Sequence, residues 1–280
     1  MHHGLFVSCM KGYVLIVALI IIVLALIGFA AVQEENSTSS SDGKVRVTVS
    51  FYPLAEFAQR VGDDLVSVTN ITPAGSEPHD FNPSPQDVAL LHKSNIFIYN
   101  GAGLEPWVPR VLPDLQKDNV STLNTTEDIQ LLGFDPHVWL SPKIAQQQVR
   151  AIEKALVAAD ASRAATYTAK ADAYIAQLEQ LDKDFAAGTA LCKRREIVTS
   201  HAAFAYLAKD YGLTIVPIAG LSPDEEPSPA WLAEISDFVR EHEVTHIFFE
   251  TLVSPAFAQT IAQETGAQTI AFNPLEGLTD

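Results

Sequence analysis

The sequence predicts an α/β fold with two parallel-sheet lobes and a metal site between them. Three observations carry this expectation. Short apolar strands alternate with amphipathic helices in two separate blocks, the pattern of parallel sheets with right-handed crossovers. A helical stretch nearly free of breakers, residues 162–187, lies between the blocks. Three histidines, His79, His137 and His201, each stand where a strand gives way to a helix.

The chain opens with an unbroken apolar run, residues 13–32, preceded by Lys11 and followed by a polar, Ser-rich, acidic segment. That length spans a bilayer, and a cation before it with acids after it orients the remainder outward. Residues 1–34 are therefore expected to be an N-terminal membrane anchor or signal segment. The competing form is a cleaved signal peptide using Gly28-Phe-Ala30, but the apolar core is long for one. Cys9 precedes the run, so a lipidated cysteine after cleavage is not supported. Residues 35–44 read as a polar tether. Cys192 is the one cysteine in the exported part, which excludes an internal disulfide there.

Order begins at residues 45–51, which alternate as a strand, and residues 52–62 form an amphipathic helix with Leu54, Phe57, Ala58 and Val61 on one face. A strand at 65–71 leads into a Pro- and Gly-rich loop carrying His79. The helix that follows starts with Ser84 as N-cap, Pro85 at its first position and Asp87 completing a capping box. Residues 95–100 are a strand of the buried, parallel kind. Gly101-Ala-Gly-Leu-Glu-Pro-Trp107 lacks the full glycine pattern of a nucleotide loop and reads as a helix turn beside a pocket. His137 stands just ahead of a second Ser-Pro start, and residues 142–158 and 162–187 read as helices. The second runs to roughly 39 Å. It either connects the lobes or packs on one of them.

The second block repeats the alternation. Strands fall at 196–200, 214–218, 245–250 and 268–272, and helices at 201–211, 231–242 and 254–265, the first and last ended by Gly212 and Gly266. An acidic loop at 221–229 ends in another Ser-Pro cap. The chain stops after a strand-end loop, where a covering helix would be expected.

Composition narrows the function. With 34 acidic and 18 basic residues among 280 the net charge is −16, which argues against nucleic acid and anionic membrane surfaces as partners. The plain reading of the acidity is solubility, though it also suits attraction of cations. Four Asn-x-Ser/Thr sequons, at Asn36, Asn70, Asn119 and Asn124, suit an extracellular location and are weak as chance matches.

In a parallel sheet, loops at the carboxyl ends of the strands face one crevice. His79 and His137 occupy such loops in the first lobe and His201 in the second, which places the site between lobes. The last strand-end loop offers Glu276 as a fourth donor, with the amide of Asn273 a weaker choice. Three imidazoles and a carboxylate suit tetrahedral Zn²⁺, whereas Mg²⁺ or Ca²⁺ want mostly oxygen. His201, read as lying in a first helical turn, should have its pKa lowered by the helix dipole. Any single loop histidine is more often a surface hydrogen-bonding group than a ligand, and His92, His242 and His246 are assigned that way. The rival from another class is a zinc-dependent hydrolase using an open three-histidine site to activate water, although the chain has no His-Glu-x-x-His helix. Glu77, beside His79, is the one candidate base for such chemistry and reads rather as a loop carboxylate or a group supporting the site.

Several motifs carry a resemblance over residues 45–280: Gly75-Ser-Glu-Pro-His-Asp-Phe-Asn-Pro-Ser-Pro85, Asp135-Pro-His-Val-Trp-Leu-Ser-Pro142, Thr199-Ser-His-Ala-Ala-Phe204, Gly220-Leu-Ser-Pro-Asp-Glu-Glu-Pro-Ser-Pro229 and Asn273-Pro-Leu-Glu276. Through them the chain resembles the zinc and manganese solute-binding proteins of ABC importers, the cluster A-I family of zinc-uptake periplasmic proteins and metal-binding lipoprotein adhesins. The resemblance implies two α/β lobes, 45–160 and 189–280, joined by one long rigid helix over 161–188, with the metal in the interlobe cleft. It implies an extracytoplasmic monomer that captures a divalent metal ion and delivers it to a membrane permease of the ABC importer type. Its ligands carry over to His79, His137 and His201, and a histidine at the third position favours Zn²⁺, with Mn²⁺ second. The chain departs from the family twice. Asn273 stands where an aspartate ligand is common, so Glu276 is the expected fourth ligand. No His-rich loop lies between His79 and His137, so sequestration by such a loop is not expected. Adhesion is a further role that the family suggests.

Overall fold

The structure, a computed structural model, describes residues 43–277. The expected anchor at 13–32, Lys11, Cys9 and the tether up to residue 42 lie outside the described residues, as do residues 278–280. Among the described residues no helix is long and apolar enough to cross a membrane.

The first sheet has four parallel strands in the order β2-β1-β3-β4: β1 (Val45–Val49), β2 (Val66–Asn70), β3 (Ile96–Tyr99) and β4 (Ser121–Asn124). Val47 and Val49 of β1, with Ile96 and Ile98 of β3, are buried in one core, and Phe97 of β3 enters another on the opposite face. Burial on both faces is why these strands read as apolar runs and not as alternations. Helix α1 (Tyr52–Gly62) lays Leu54, Phe57, Ala58 and Val61 on the first face, as its periodicity predicts. Helix α2 (Pro85–Leu91) begins at Ser84, whose hydroxyl accepts from Asp87 N while the Asp87 carboxylate accepts from Ser84 N. The reciprocal pair ends the His79 loop at a fixed point. Helix α3 (Val108–Lys117) covers the second face with Val108 and Leu115, and β4 forms the sheet's edge; neither is foreseen in the sequence.

Helix α4 (Pro142–Ala159) starts at Ser141, which accepts from Ile144 N. It packs on α1, and the 27-residue α5 (Ala164–Ala190) packs on both. Tyr167, Ala171, Ile175 and Leu178 of α5 join the first core. The far end of α5 meets the other sheet, where Phe185 stacks on Tyr211 with ring centroids 5.3 Å apart and Asp182 accepts from the Tyr211 hydroxyl at 3.0 Å. The long helix thus packs along one sheet unit and reaches the other.

The second sheet repeats the first with order β6-β5-β7-β8: β5 (Glu196–Thr199), β6 (Thr214–Pro217), β7 (His246–Phe249) and β8 (Gln268–Ala271). Helices α6 (Ala205–Tyr211), α7 (Pro229–Glu241) and α8 (Ala256–Thr265) cross between its strands. Gly212 and Gly266 end α6 and α8 in the left-handed conformation, and Ser228 caps α7. The core of this unit is Val198, Ile218, Ile235, Val239, Ile247 and Ile261 with smaller neighbours. One correction concerns its first helix, which starts at Ala205, so His201 lies in a bend before the helix and not in its first turn.

The end of β3 shows how the sheet fixes its loops. Gly101 has φ +83, and a Cβ there would sit 2.2 Å from Asn124 Oδ1, an atom that accepts from both the backbone N and the hydroxyl of Thr126. Gly101→Ala is expected to destabilise by about 2 kcal/mol or more, because conformational strain and a displaced hydrogen-bonded amide add. Gly133→Ala, with φ +62 and open space around it, should cost only the strain, about 1 kcal/mol. Denaturant midpoints at unchanged slope measure both; equal costs would contradict the packing argument.

Candidate metal centre

Four loops at the carboxyl ends of strands meet where the two sheets face each other. His79 comes from the loop after β2, His137 from the loop after β4, His201 from the bend after β5 and Glu276 from the turn after β8. Their donor atoms all lie within 4.8 Å of one another. His137 Nε2 is 3.1 Å from His79 Nε2 and 3.2 Å from His201 Nε2. Glu276 Oε1 stands 3.3, 3.4 and 3.8 Å from the Nε2 atoms of His137, His201 and His79. A tetrahedral ion bound at about 2.0–2.1 Å separates its donors by about 3.3–3.4 Å. The separations of His137 from its neighbours and of Glu276 from His201, 3.1–3.4 Å, come close to that spacing, and His79 stands wider of Glu276 at 3.8 Å.

The opposite ring nitrogens explain why these atoms face inward. His137 Nδ1 is 2.7 Å from Asp135 Oδ1, and the same oxygen accepts from His137 N. His201 Nδ1 is 2.6 Å from Glu250 Oε1. A carboxylate at Nδ1 holds the proton there and leaves Nε2 as a bare lone pair. Two such lone pairs therefore converge on Glu276, neither of whose oxygens receives a well-formed hydrogen bond. His137, His201 and Glu276 are all at most 1% exposed, so water does not relieve the clash. A proton or a cation does.

Proton affinities show the same tension. Burial pulls His201 down, but the hydrogen bonds and charges of Glu250 and Glu276 outweigh it and raise its pKa to about 10. This reverses the lowering expected from a helix dipole, since the helix starts four residues later and two carboxylates are nearer. His137 is likewise raised: burial opposes, and Asp135 and Glu276 prevail. Burial works to raise Glu276, yet the three imidazoles hold it well below the usual carboxylate range. Glu77 is pushed up to about 8, by burial first and the charge of Glu276 second. Its Oε1 accepts from His79 N at 3.3 Å. At the rim, Asp80 is raised to about 6, chiefly by its hydrogen bond with Asp224 of the acidic loop at 221–229.

Hydrogen bonds within the first unit and across to the second hold the turn that carries His137. Asn100, at the end of β3, donates to Pro136 O at 2.9 Å and so holds the His137 turn. From α6 the Tyr206 hydroxyl donates to Asp135 O at 2.8 Å and accepts from Leu132 N. Ser141 donates to Asp210, also on α6. Asn273, the weaker candidate from the sequence, engages both ends of its amide elsewhere, accepting from Leu275 N and donating to Thr251 Oγ1. Asp135 and Glu250 were not singled out in the sequence. Asp135 lies two residues before His137, a spacing that could have pointed to it, whereas Glu250 meets His201 only through the pairing of β5 with β7. His92 pairs with Asp118, and His242 stacks on Phe238, both far from the cluster in role.

Residues 47–280 match the family described as ZnuA, zinc-uptake complex component A periplasmic. The zinc-binding lipoprotein AdcA of Streptococcus pneumoniae R6 is 40% identical over 264 residues, 88% of this chain and 53% of the relative. The chain therefore spans about half the length of that relative. The high-affinity zinc uptake system protein ZnuA of Bacillus subtilis 168 is 37% identical over 88% of this chain and 83% of its own length. Among solved structures, the Zn(II)-bound ZnuA-like domain of S. pneumoniae AdcA superposes with a TM-score of 0.76 at 43% identity, covering 85% of this chain and 90% of that one. The laminin-binding protein Lmb of Streptococcus agalactiae, described as a bifunctional protein with adhesin and metal transporting activity, gives 0.79 at 36%, covering 83% and 90%.

The raised histidine predicts a pH dependence for the metal-free protein. His201 titrates higher when folded than when unfolded, so its contribution to stability is complete below the unfolded value of about 6.5. It is lost as pH rises through about 10. Glu276, depressed in the fold, contributes above its unfolded value near 4.5 and loses that contribution as pH falls through its folded one. Unfolding of chelator-stripped protein, followed from pH 5 to pH 10, should show a decline above neutrality that Glu250→Gln shrinks. A decline of equal size in Glu250→Gln would contradict the assigned pairing.

Proposed function

Because the chain belongs to the ZnuA family of zinc-uptake periplasmic components, we propose that it captures one Zn²⁺ ion outside the cytoplasm and hands it to the permease of an ABC importer. His79, His137, His201 and Glu276 are the proposed ligands. The observation that carries this reading is the convergence of four donors within 4.8 Å, with two bare imidazole lone pairs 3.3 and 3.4 Å from a carboxylate oxygen.

Donor chemistry supports zinc over manganese. Three nitrogens and one carboxylate suit Zn²⁺, while Mn²⁺ is served better by oxygen donors and lies at the weak end of the divalent affinity order. The ion is cargo, so the site must also let it go. The groups around it already bind protons tightly, and the same negative surroundings that raise His201 strengthen its hold on a cation. Metal and proton therefore compete, and acid favours release. Residues 13–32 are proposed to tether the protein to the membrane, which keeps the captured ion near the permease. We propose further that it acts as a monomer.

Four protein donors also weigh against the hydrolase reading. Water activation needs an open coordination position, and Glu276 stands at the place a water would take. Glu77 is tied through one oxygen to the backbone of His79.

Competition titration of the chain with Zn²⁺ and Mn²⁺ tests the proposal. Zinc should bind more tightly, with one ion per chain. His137→Ala should lower zinc affinity by about 100-fold or more, as loss of a ligand does, and Glu276→Gln clearly but less. His242→Ala should be silent. Affinity should fall as pH drops from 8 to 5.5. Tighter manganese binding, or zinc affinity indifferent to His137→Ala, would overturn the assignment.

A further inference from the structure

The proposed carboxylate ligand comes from a segment with no regular structure. Leu275, immediately before Glu276, has φ +63, a left-handed conformation that a leucine rarely adopts and that does not persist without support. Two side chains supply it. Asn273 Oδ1 accepts from Leu275 N at 2.7 Å, closing an Asx turn over the strained residue. Its Nδ2 donates to Thr251 Oγ1 at 2.9 Å, next to Glu250 in the chain. From the other sheet unit, Trp139 Nε1 donates to Pro274 O at 2.8 Å.

Trp139 is itself two residues from His137. Its ring lies 5.2 Å from the His137 ring and edge-on to Phe51 at 4.7 Å, and it is 5% exposed. Past Glu276, a Cβ on Gly277 would stand 3.4 Å from Ser76 O in the His79 loop. The turn therefore touches the segment carrying every other donor: Thr251 beside the partner of His201, Trp139 beside His137, and Ser76 near His79.

We propose that Asn273 and Trp139 are positioning residues that preset the Glu276 carboxylate for the ion, an inference that rests on the metal-capture reading above. Neither touches the metal. A carboxylate on a free turn would have to be ordered when the ion arrives, and that ordering subtracts from affinity. A carboxylate held at 3.3 and 3.4 Å from two imidazole nitrogens does not. The asparagine at 273 is then a device for the turn. It fixes the ligand three residues on.

The test is zinc affinity by chelator competition, together with the melting temperature of the chelator-stripped protein. Asn273→Ala, which deletes two hydrogen bonds, and Trp139→Phe, which deletes one, should each weaken zinc by about three- to tenfold. The metal-free melting temperature of Asn273→Ala should stay close to the parent. Asn273→Ser, whose hydroxyl can close the same turn, should recover most of the loss. Combined with Glu276→Gln, Asn273→Ala should add almost nothing, because the group it positions is gone. A loss that persists in full in the Glu276→Gln background overturns the inference, and so does parent-like zinc affinity in both Asn273→Ala and Trp139→Phe. Parent-like affinity in Glu276→Gln alone would instead defeat the ligand assignment itself.

Discussion

Lone pairs on two buried imidazoles and a carboxylate oxygen cannot sit within 3.4 Å of each other without something positive between them. Each of the two imidazoles has had its other nitrogen committed to a carboxylate, Asp135 or Glu250, so neither can turn its proton inward without breaking a buried bond. The fold therefore stores a demand for positive charge at one point. In the absence of a metal ion a proton meets that demand, which is why His201 holds its proton to about pH 10. The features that make the site basic are the ones that make it a cation trap.

Meeting this constraint takes two sheets. Each has the same strand order and sends its carboxyl-end loops toward the other, and no single sheet supplies more than two of the four donors. Relative placement of the sheets then decides whether the donors converge. It is set by α5, which packs along the first core and stacks on Tyr211 of the second unit, and by bonds across the seam from Tyr206, Ser141 and Trp139. Phe204 and Phe272, from the second unit, stack at 4.5 Å against the first core. Apolar contact supplies the cohesion here and hydrogen bonds the register. The −16 charge of the whole chain adds a long-range bias toward cations, screened within about 10 Å at ordinary salt.

Much of this is legible in the sequence, where local chemistry decides the outcome. Ser84, Ser141 and Ser228 announce helix starts because a hydroxyl before proline has few other uses, and all three cap. The face of α1 is fixed by the spacing of Leu54, Phe57, Ala58 and Val61. By contrast α3 and β4 are hidden: Pro109 and Pro113 interrupt the helical pattern, and Ser121–Asn124 is a short polar edge strand held mainly by its ladder to β3. The start of α6 at Ala205 is also illegible, since nothing in Ser200–Phe204 marks where the bend ends. Within the site, the histidines stand out by motif, but Glu250 becomes a partner of His201 only when β5 pairs with β7. Asn273 and Trp139 each bond a backbone atom of the turn before Glu276, and such bonds leave no mark in sequence.

Anomalous diffraction at the zinc absorption edge, on crystals of the zinc-loaded protein, tests the central claim most directly. The account predicts a single peak about 2.0–2.2 Å from the Nε2 atoms of His79, His137 and His201 and from a Glu276 carboxylate oxygen. A peak elsewhere, or an ion bound by the three histidines with water or Asn273 in the fourth position, would contradict it.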